Sequence, residues 1–460
     1  MSHAARYESD SVGTLAVPAD AYYGVNTLRA SKNFQITGQR MHRAMIRNLA
    51  RVKKAAALAN LSIDNLDPEI GAKILQACDE VIAGGYDDEF IVDAVQGGAG
   101  TSANMNANEV IANLASEPAG HRKGDYSICH PNDHVNRSQS TNDVFPTAGR
   151  LTVLELMGTL IESLRYLIAA LNMKAEEFDQ VFKLGRTQMQ DAVPIRLGSE
   201  FAAASSALQR DIRKLEQAAS LMQVVNLGGT AIGTGINAPE AYRAVVVDKL
   251  SEVCDLKLKQ AENLIDATQN LDDFVEVSGA VKSVAVTLNK FANDLRLLSS
   301  GPRTGLNEIN LPAVQCGSSI MPGKINPVIP EAVNQVAFNI FGNDVTITMA
   351  AANGQLELNA FEPILFYKLF ESIDTLRNVL PAFVDLCVTG ITANAHVLEQ
   401  DLENSTFLAT VLAPILGYEV TAALAQESLE RSLPMRELIL EQQLLSPEEL
   451  ERLSDLNQYT

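Results

Sequence analysis

The sequence predicts a mainly α-helical protein of three domains, the central one a set of long helices belonging to a multi-chain helical bundle. Three observations predict it. Apolar residues recur at alternating steps of three and four over long stretches. No proline lies between Pro146 and Pro194, or between Pro239 and Pro302, so nothing obliges the helices there to break. Apolar residues make up 47% of the chain and aromatics only 5%, without Trp, which suits helices packed by Ala, Leu and Val.

Residues 1–142 form the first expected domain, smaller, mainly helical and irregular, with a few short strands. Residues 143–393 form the second. Its first seam runs Leu154, Met157, Ile161, Leu164, Ile168, Leu171, Ala175 and Phe178. The next runs Phe274, Val277, Val281, Val284, Leu288, Phe291, Leu295 and Leu298, and stops at Ser-Ser-Gly301-Pro302. A third helix begins at Pro327, capped by Asn326, and keeps Ile329, Val333, Val336, Ile340 and Ile347 on one face before Gly354. Seams this long need other helices along their length, hence partners from other chains. From 394 to 460 the pattern shortens into a third, small helical domain, in which Ser446-Pro-Glu-Glu449 reads as a capping box.

The formal net charge is -20, which excludes nucleic acid and anionic membrane surfaces as natural partners. A protein so charged can bind a small anion only with local donors. Cysteines at 78, 129, 254, 316 and 387 are odd in number and scattered without a CxxC, which argues against a disulfide framework or a zinc site. The opening Met1-Ser-His-Ala-Ala-Arg-Tyr-Glu-Ser-Asp10 lacks a signal-peptide core, and no apolar run reaches membrane-spanning length, so a cytoplasmic setting is expected.

Function is concentrated in Gly317-Ser-Ser-Ile-Met-Pro-Gly-Lys-Ile-Asn-Pro-Val328. Gly317, Pro322 and Gly323 favour a mobile loop, and two hydroxyls, one ammonium and free backbone N–H groups meet there at the positive end of a helix. A serine hydroxyl is a poor base unless a loop excludes water and surrounds the alkoxide with N–H donors, and this loop has the glycines for that. Three other segments carry hydroxyl and amide side chains about expected helix starts: Gly97-Gly-Ala-Gly-Thr101-Ser-Ala-Asn-Met-Asn-Ala-Asn108, Ser140-Thr141-Asn142-Asp143, and Gly185-Arg-Thr187-Gln188-Met-Gln-Asp191. Helix capping explains any one of these segments. A cap needs a single Ser, Thr, Asp or Asn, however, and the segments supply two to five such residues. Two other signals lead elsewhere. Gly228-Gly-Thr-Ala-Ile-Gly-Thr-Gly235 lacks the Gly-Lys-Ser/Thr ending of a phosphate loop and any preceding strand. His130 and His134 have Pro131 between them and no adjacent acidic ligand, so a structural role outweighs metal binding.

These four segments, in their order and spacing, resemble those of the aspartase/fumarase superfamily, and the likeness extends over nearly the whole chain. The resemblance implies that Ser318 is the proton-abstracting base and that Ser319 contacts the substrate, a small dicarboxylate. It implies that Lys324 and Asn326, helped by Thr187, grip the carboxylate beside the carbon bearing the leaving group. Thr101, Ser140 and Thr141 would hold the other carboxylate, with Asn142 near the leaving group. It also implies a homotetramer with each site built from three chains. No redox or organic cofactor is needed, and activation by a divalent cation, seen in some aspartases, is not something the residues specify. Gln188 cannot transfer a full proton, which suits departure of neutral ammonia better than departure of hydroxide; fumarases typically have His there. With Pro327-Val328 and Asn226-Leu-Gly-Gly-Thr230, it leans toward the ammonia-lyase branch acting on aspartate. A fumarase, a lyase for a substituted aspartate and a non-catalytic structural member stand as alternatives. Ser199, Ala413 and the stretch 404–409 depart from the family's usual residues.

Overall fold

The computed structural model describes residues 4–458. The first three residues of the N-terminal stretch read above lie outside them, as do the last two of the third expected domain. Helices dominate, and the four sheets among the described residues have two strands each. The contacts gather into two compact units. One takes the described residues up to 161 with 212–283 and 338–376; the other takes 162–211, 284–337 and 377–458.

All three expected long helices are present, as Thr141–Glu177, Asp272–Leu298 and Val328–Ala352. Their predicted seams are buried almost throughout, with Leu164, Phe274, Val281, Val284 and Ile347 fully enclosed. Two further helices, Leu197–Leu221 and Glu362–Leu386, complete the set. From Ala395 onward the helices are short, and Ser446 and Glu449 make the expected capping box before Pro447–Leu453.

In the first unit, the core around the Thr141–Glu177 helix is aromatic. The Phe366 ring lies 5.3 Å from that of Phe145, 5.1 Å from Phe274 and 5.6 Å from Phe370. Gly149 makes room for it: a Cβ there would stand 2.2 Å from Phe366 Cζ. A glycine inside a helix costs roughly 1 kcal/mol against Ala, and ring packing is the compensating gain.

The second unit holds an antiparallel hairpin, Phe182–Thr187 with Gln190–Arg196. Buried charge fixes it. Glu308 is wholly enclosed, receives the Lys183 ammonium at 2.9 Å and also pairs with the Arg186 guanidinium. Lys183 reaches Glu200 as well, at 2.9 Å. Leu184 on the same strand packs into a core of Leu402, Leu408, Leu412, Leu424, Met435, Leu438 and Leu450.

Three expectations are corrected. Thr187 precedes no helix start: Gln188 and Met189 adopt φ of +52° and +65°, making a two-residue hairpin turn, and the next helix begins only at Leu197. Asn326 does not cap through its side chain; its amide donates to the Gly317 carbonyl at 2.7 Å, and the helix begins at Val328. The glycine segment 228–235 does follow a strand, Val224–Val225, though one of only two residues, paired in parallel with Lys259–Gln260.

Gly149→Ala is expected to lower stability by about 1–3 kcal/mol despite Ala's better helix propensity, because overpacking against Phe366 outweighs the propensity gain. Denaturant midpoints compared at matched protein concentration check this.

Candidate active site

In the first unit the expected anion-binding residues stand at two helix starts. Gly100, at φ +85°, precedes the helix Thr101–Ser116, and a Cβ on it would lie 2.4 Å from the Phe145 ring, so the absence of a side chain at 100 lets this helix start sit against the ring of Phe145 on the helix that begins at Thr141. The Thr101 hydroxyl donates to the Gly98 carbonyl at 2.7 Å and is exposed. Ser140 Oγ accepts the Asn142 N–H at 3.2 Å, and Thr141 opens the long helix. Asn142 Nδ2 donates to the Ala231 carbonyl at 2.7 Å.

Buried polar groups support this corner. The Lys53 ammonium, fully enclosed, donates to Asn136 Oδ1 at 2.8 Å and to Gln139 Oε1 at 3.0 Å. Asn136 Oδ1 also receives the amides of Asn104 and Asn108. Asp143, equally enclosed, takes the Ser140 N–H on Oδ1 at 2.9 Å and the Gly228 and Thr230 N–H groups on Oδ2, both at 3.0 Å. Burial pushes its carboxyl up to about 6, while those N–H donors and Lys53 pull the other way. Burial likewise brings the Lys53 ammonium down to about 7, opposed by the Asp143 charge. Three donors and no acceptor around Asp143 fit the ionised form.

In the second unit, Ser318, Ser319, Lys324 and Asn326 share one loop. Ser318 Oγ accepts the backbone N–H of Met321 at 2.9 Å and that of Ile320 at 3.2 Å. The loop is closed at its base, where Gly317 N–H donates to the Lys324 carbonyl at 3.0 Å and Asn326 Nδ2 to the Gly317 carbonyl. Ser319 and Lys324 are exposed. Thr187 and Gln188 occupy the exposed tip of the hairpin. Positive φ at a Gln and a Met is uncommon and costs roughly 1–2 kcal/mol each, strain of a kind that gathers at functional sites.

Sequence reasoning assigned no role to Asp143, Lys53 or Asn136. The spacing Ser140-x-x-Asp143 is a capping-box cue, but the partners of Asp143 at 228–230 carry no sequence signal pointing back to it. His130 and His134 support a short π-helical turn: His130 Nδ1 accepts the Asn132 and Asp133 N–H groups, and His134 Nδ1 accepts that of His130.

Comparison with known proteins places this geometry in context. A family model described as lyase matches residues 13–342, and one described as fumarase C C-terminus matches 408–460. An aspartate ammonia-lyase of Bacillus subtilis (strain 168) is 51% identical over 97% of this chain and 94% of its own length. One from Pseudomonas aeruginosa is 52% identical, covering 96% and 94% respectively. Among solved structures, a fumarate lyase:delta crystallin from Brucella melitensis bound to cobalt superposes with a TM-score of 0.95 at 49% identity, covering 98% of each chain. A class II fumarase from Schistosoma mansoni gives 0.94 at 36% identity, again over 98% of each.

Closure of the 317–326 loop is a backbone property. A Cβ on Gly317 would stand 2.2 Å from the Lys324 carbonyl oxygen. Gly317→Ala is therefore expected to raise amide exchange across 317–326 by about tenfold or more while the Val328–Ala352 helix keeps its protection, as read by exchange mass spectrometry.

Proposed function

The chain belongs to the lyase family that embraces aspartases and fumarases, and we propose that it is an aspartate ammonia-lyase, interconverting L-aspartate with fumarate and ammonia. The observation that carries the mechanism is the pair of backbone N–H groups, from Ile320 and Met321, on Ser318 Oγ. Such donors lower the cost of an alkoxide, and an alkoxide is what a serine base must be.

Ser318 takes a proton from the carbon beside one carboxylate. The electrons left behind move into that carboxylate, giving a doubly charged aci-carboxylate. Thr101, Ser140 and Thr141 hold this end, where the N-termini of two helices favour added negative charge. Lys324 and Asn326, with Thr187, hold the other carboxylate, and Ser319 adds a contact. The electron pair then returns to form the double bond as the carbon–nitrogen bond breaks. The amine, bound as ammonium, keeps the electron pair of the breaking carbon–nitrogen bond and so departs directly as neutral ammonia, and Asn142 and Gln188 beside it need supply no proton. No organic or redox cofactor enters these steps.

The assembly we propose is a homotetramer with each site shared among three subunits, in the cytoplasm, and the three-domain division at 142 and 393 is retained with it. On the Val328–Ala352 helix, Phe338, Val345 and Met349 are 58, 59 and 62% exposed at helical spacing, an apolar stripe that another subunit's helices would cover. All five cysteines are free, which suits a reducing compartment. Among the described residues no helix is long and apolar enough to cross a membrane.

Incubating the protein with fumarate and an ammonium salt, with products identified by proton NMR, tests the reaction. Aspartate without malate is expected; malate would identify a fumarase, and neither product would point to a substituted substrate.

A further inference from the structure

The glycine segment 228–235, which sequence analysis set aside as no phosphate loop, meets the site through one buried side chain. Asp143 spends Oδ1 on its own helix start, through Ser140 N–H, and Oδ2 on the turn, through Gly228 and Thr230 N–H. The turn needs unusual backbone, with φ of +95° at Gly228 and +56° at Thr230, and a carboxylate receiving both N–H groups holds that shape. The next carbonyl, Ala231, takes Asn142 Nδ2 at 2.7 Å. A carbonyl only accepts, so the amide is oriented without ambiguity: nitrogen toward Ala231, Oδ1 away from it.

The Asn142 backbone is fixed from the same side. Pro146 has no N–H to give the Asn142 carbonyl, and Asn226 Nδ2 fills that place at 3.0 Å. Asn226 is itself held, its Nδ2 also reaching Thr268 Oγ1 at 3.0 Å and its Oδ1 receiving the Thr147 hydroxyl.

We propose that Asp143 is a positioning residue for leaving-group selection: by clamping the 228–230 turn it places the Ala231 carbonyl, which turns Asn142 Oδ1 toward the departing amine. This rests on the reading that Asn142 adjoins the leaving group. An acceptor oxygen with no donor beside it favours an ammonium group and gives no acid assistance to a departing hydroxide. The clamp thus contributes to amine specificity without itself touching substrate.

A double-mutant cycle between Asp143 and Asn142 tests this. Asp143→Asn keeps the side-chain shape and loses an N–H acceptor; Asn142→Ala removes the oriented amide; Asp143→Ala is the more severe companion, used if it assembles. Asp143→Asn is expected to lower kcat with aspartate by about tenfold or more, and Asn142→Ala by about a hundredfold. The double variant should be no slower than Asn142→Ala within about threefold. The inhibition constant of succinate, which has both carboxylates and no amine, should move by less than about threefold in Asp143→Asn. Multiplicative losses would overturn the proposal, because Asp143 would then act independently of Asn142. A succinate constant that rises in step with the loss of kcat would also overturn it, placing the effect at the carboxylate end held by Ser140. An unaltered kcat in Asp143→Asn would overturn it outright. If the wild type forms malate and not aspartate, the ammonia-lyase reading has failed, and the same cycle run on malate turnover still decides the clamp by the same additivity criterion.

Discussion

A serine alkoxide is far less stable in water than a carboxylate, so any chemistry that begins with one depends on hydrogen-bond donors arranged before the substrate arrives. In the mechanism proposed, this chain, with a net charge of -20, meets that demand chiefly with backbone amides. Ile320 and Met321 supply N–H groups to Ser318 Oγ, and Ser140, Gly228 and Thr230 supply them to Asp143. In the proposed mechanism the starts of two helices, at Thr101 and Thr141 of another subunit, provide the remaining positive potential. Amides do not titrate, and they are positioned by the fold. The cost is conformational: turns with positive φ at Gly100, Gly228, Thr230 and Gly323, and close packing at Gly100 against the Phe145 ring and at Gly317 against the Lys324 carbonyl that a Cβ would block.

The long helices carry these segments at their starts, at Thr141 and Val328. Their buried seams were legible because a period near 3.6 over many residues is the strongest signal a sequence offers, and Leu164, Phe274 and Ile347 lie where the periodicity put them. The 317–328 loop was legible as a loop from Gly317, Pro322 and Gly323. Its closure was not, because the Asn326-Pro327 pair looks like a helix cap and gives no sign that the amide will serve Gly317 instead. The hairpin at 182–196 was misread for a related reason: its turn is Gln188-Met189, where sequence rules look for Asn-Gly or Asp-Gly. The role of Asp143 depends on a turn more than eighty residues away (|i−j| of 85 to Gly228), and only the folded chain brings them into contact.

The same contrast separates positions proposed to bear on specificity from those that hold the scaffold. Gln188 sits exposed on a strained turn whose strand is held by the buried Lys183–Glu308–Arg186 cluster. Among the departures from the family's usual residues, Ser199 lies exposed in the first turn of the Leu197–Leu221 helix. Ala413, half-buried, follows the buried Leu412 in the short helix Phe407–Leu416. Nothing in the structure explains why these two residues replace the usual ones.

The proposed account stands or falls on Ser318 as the base. The most direct measurement is the steady-state turnover of Ser318→Ala with aspartate, alongside circular dichroism and sedimentation of the same preparation. Loss of kcat by about a thousandfold or more, with helicity and assembly unchanged, is the predicted result. Turnover within about tenfold of wild type in a folded, assembled variant would contradict it and send the search for the base to another residue.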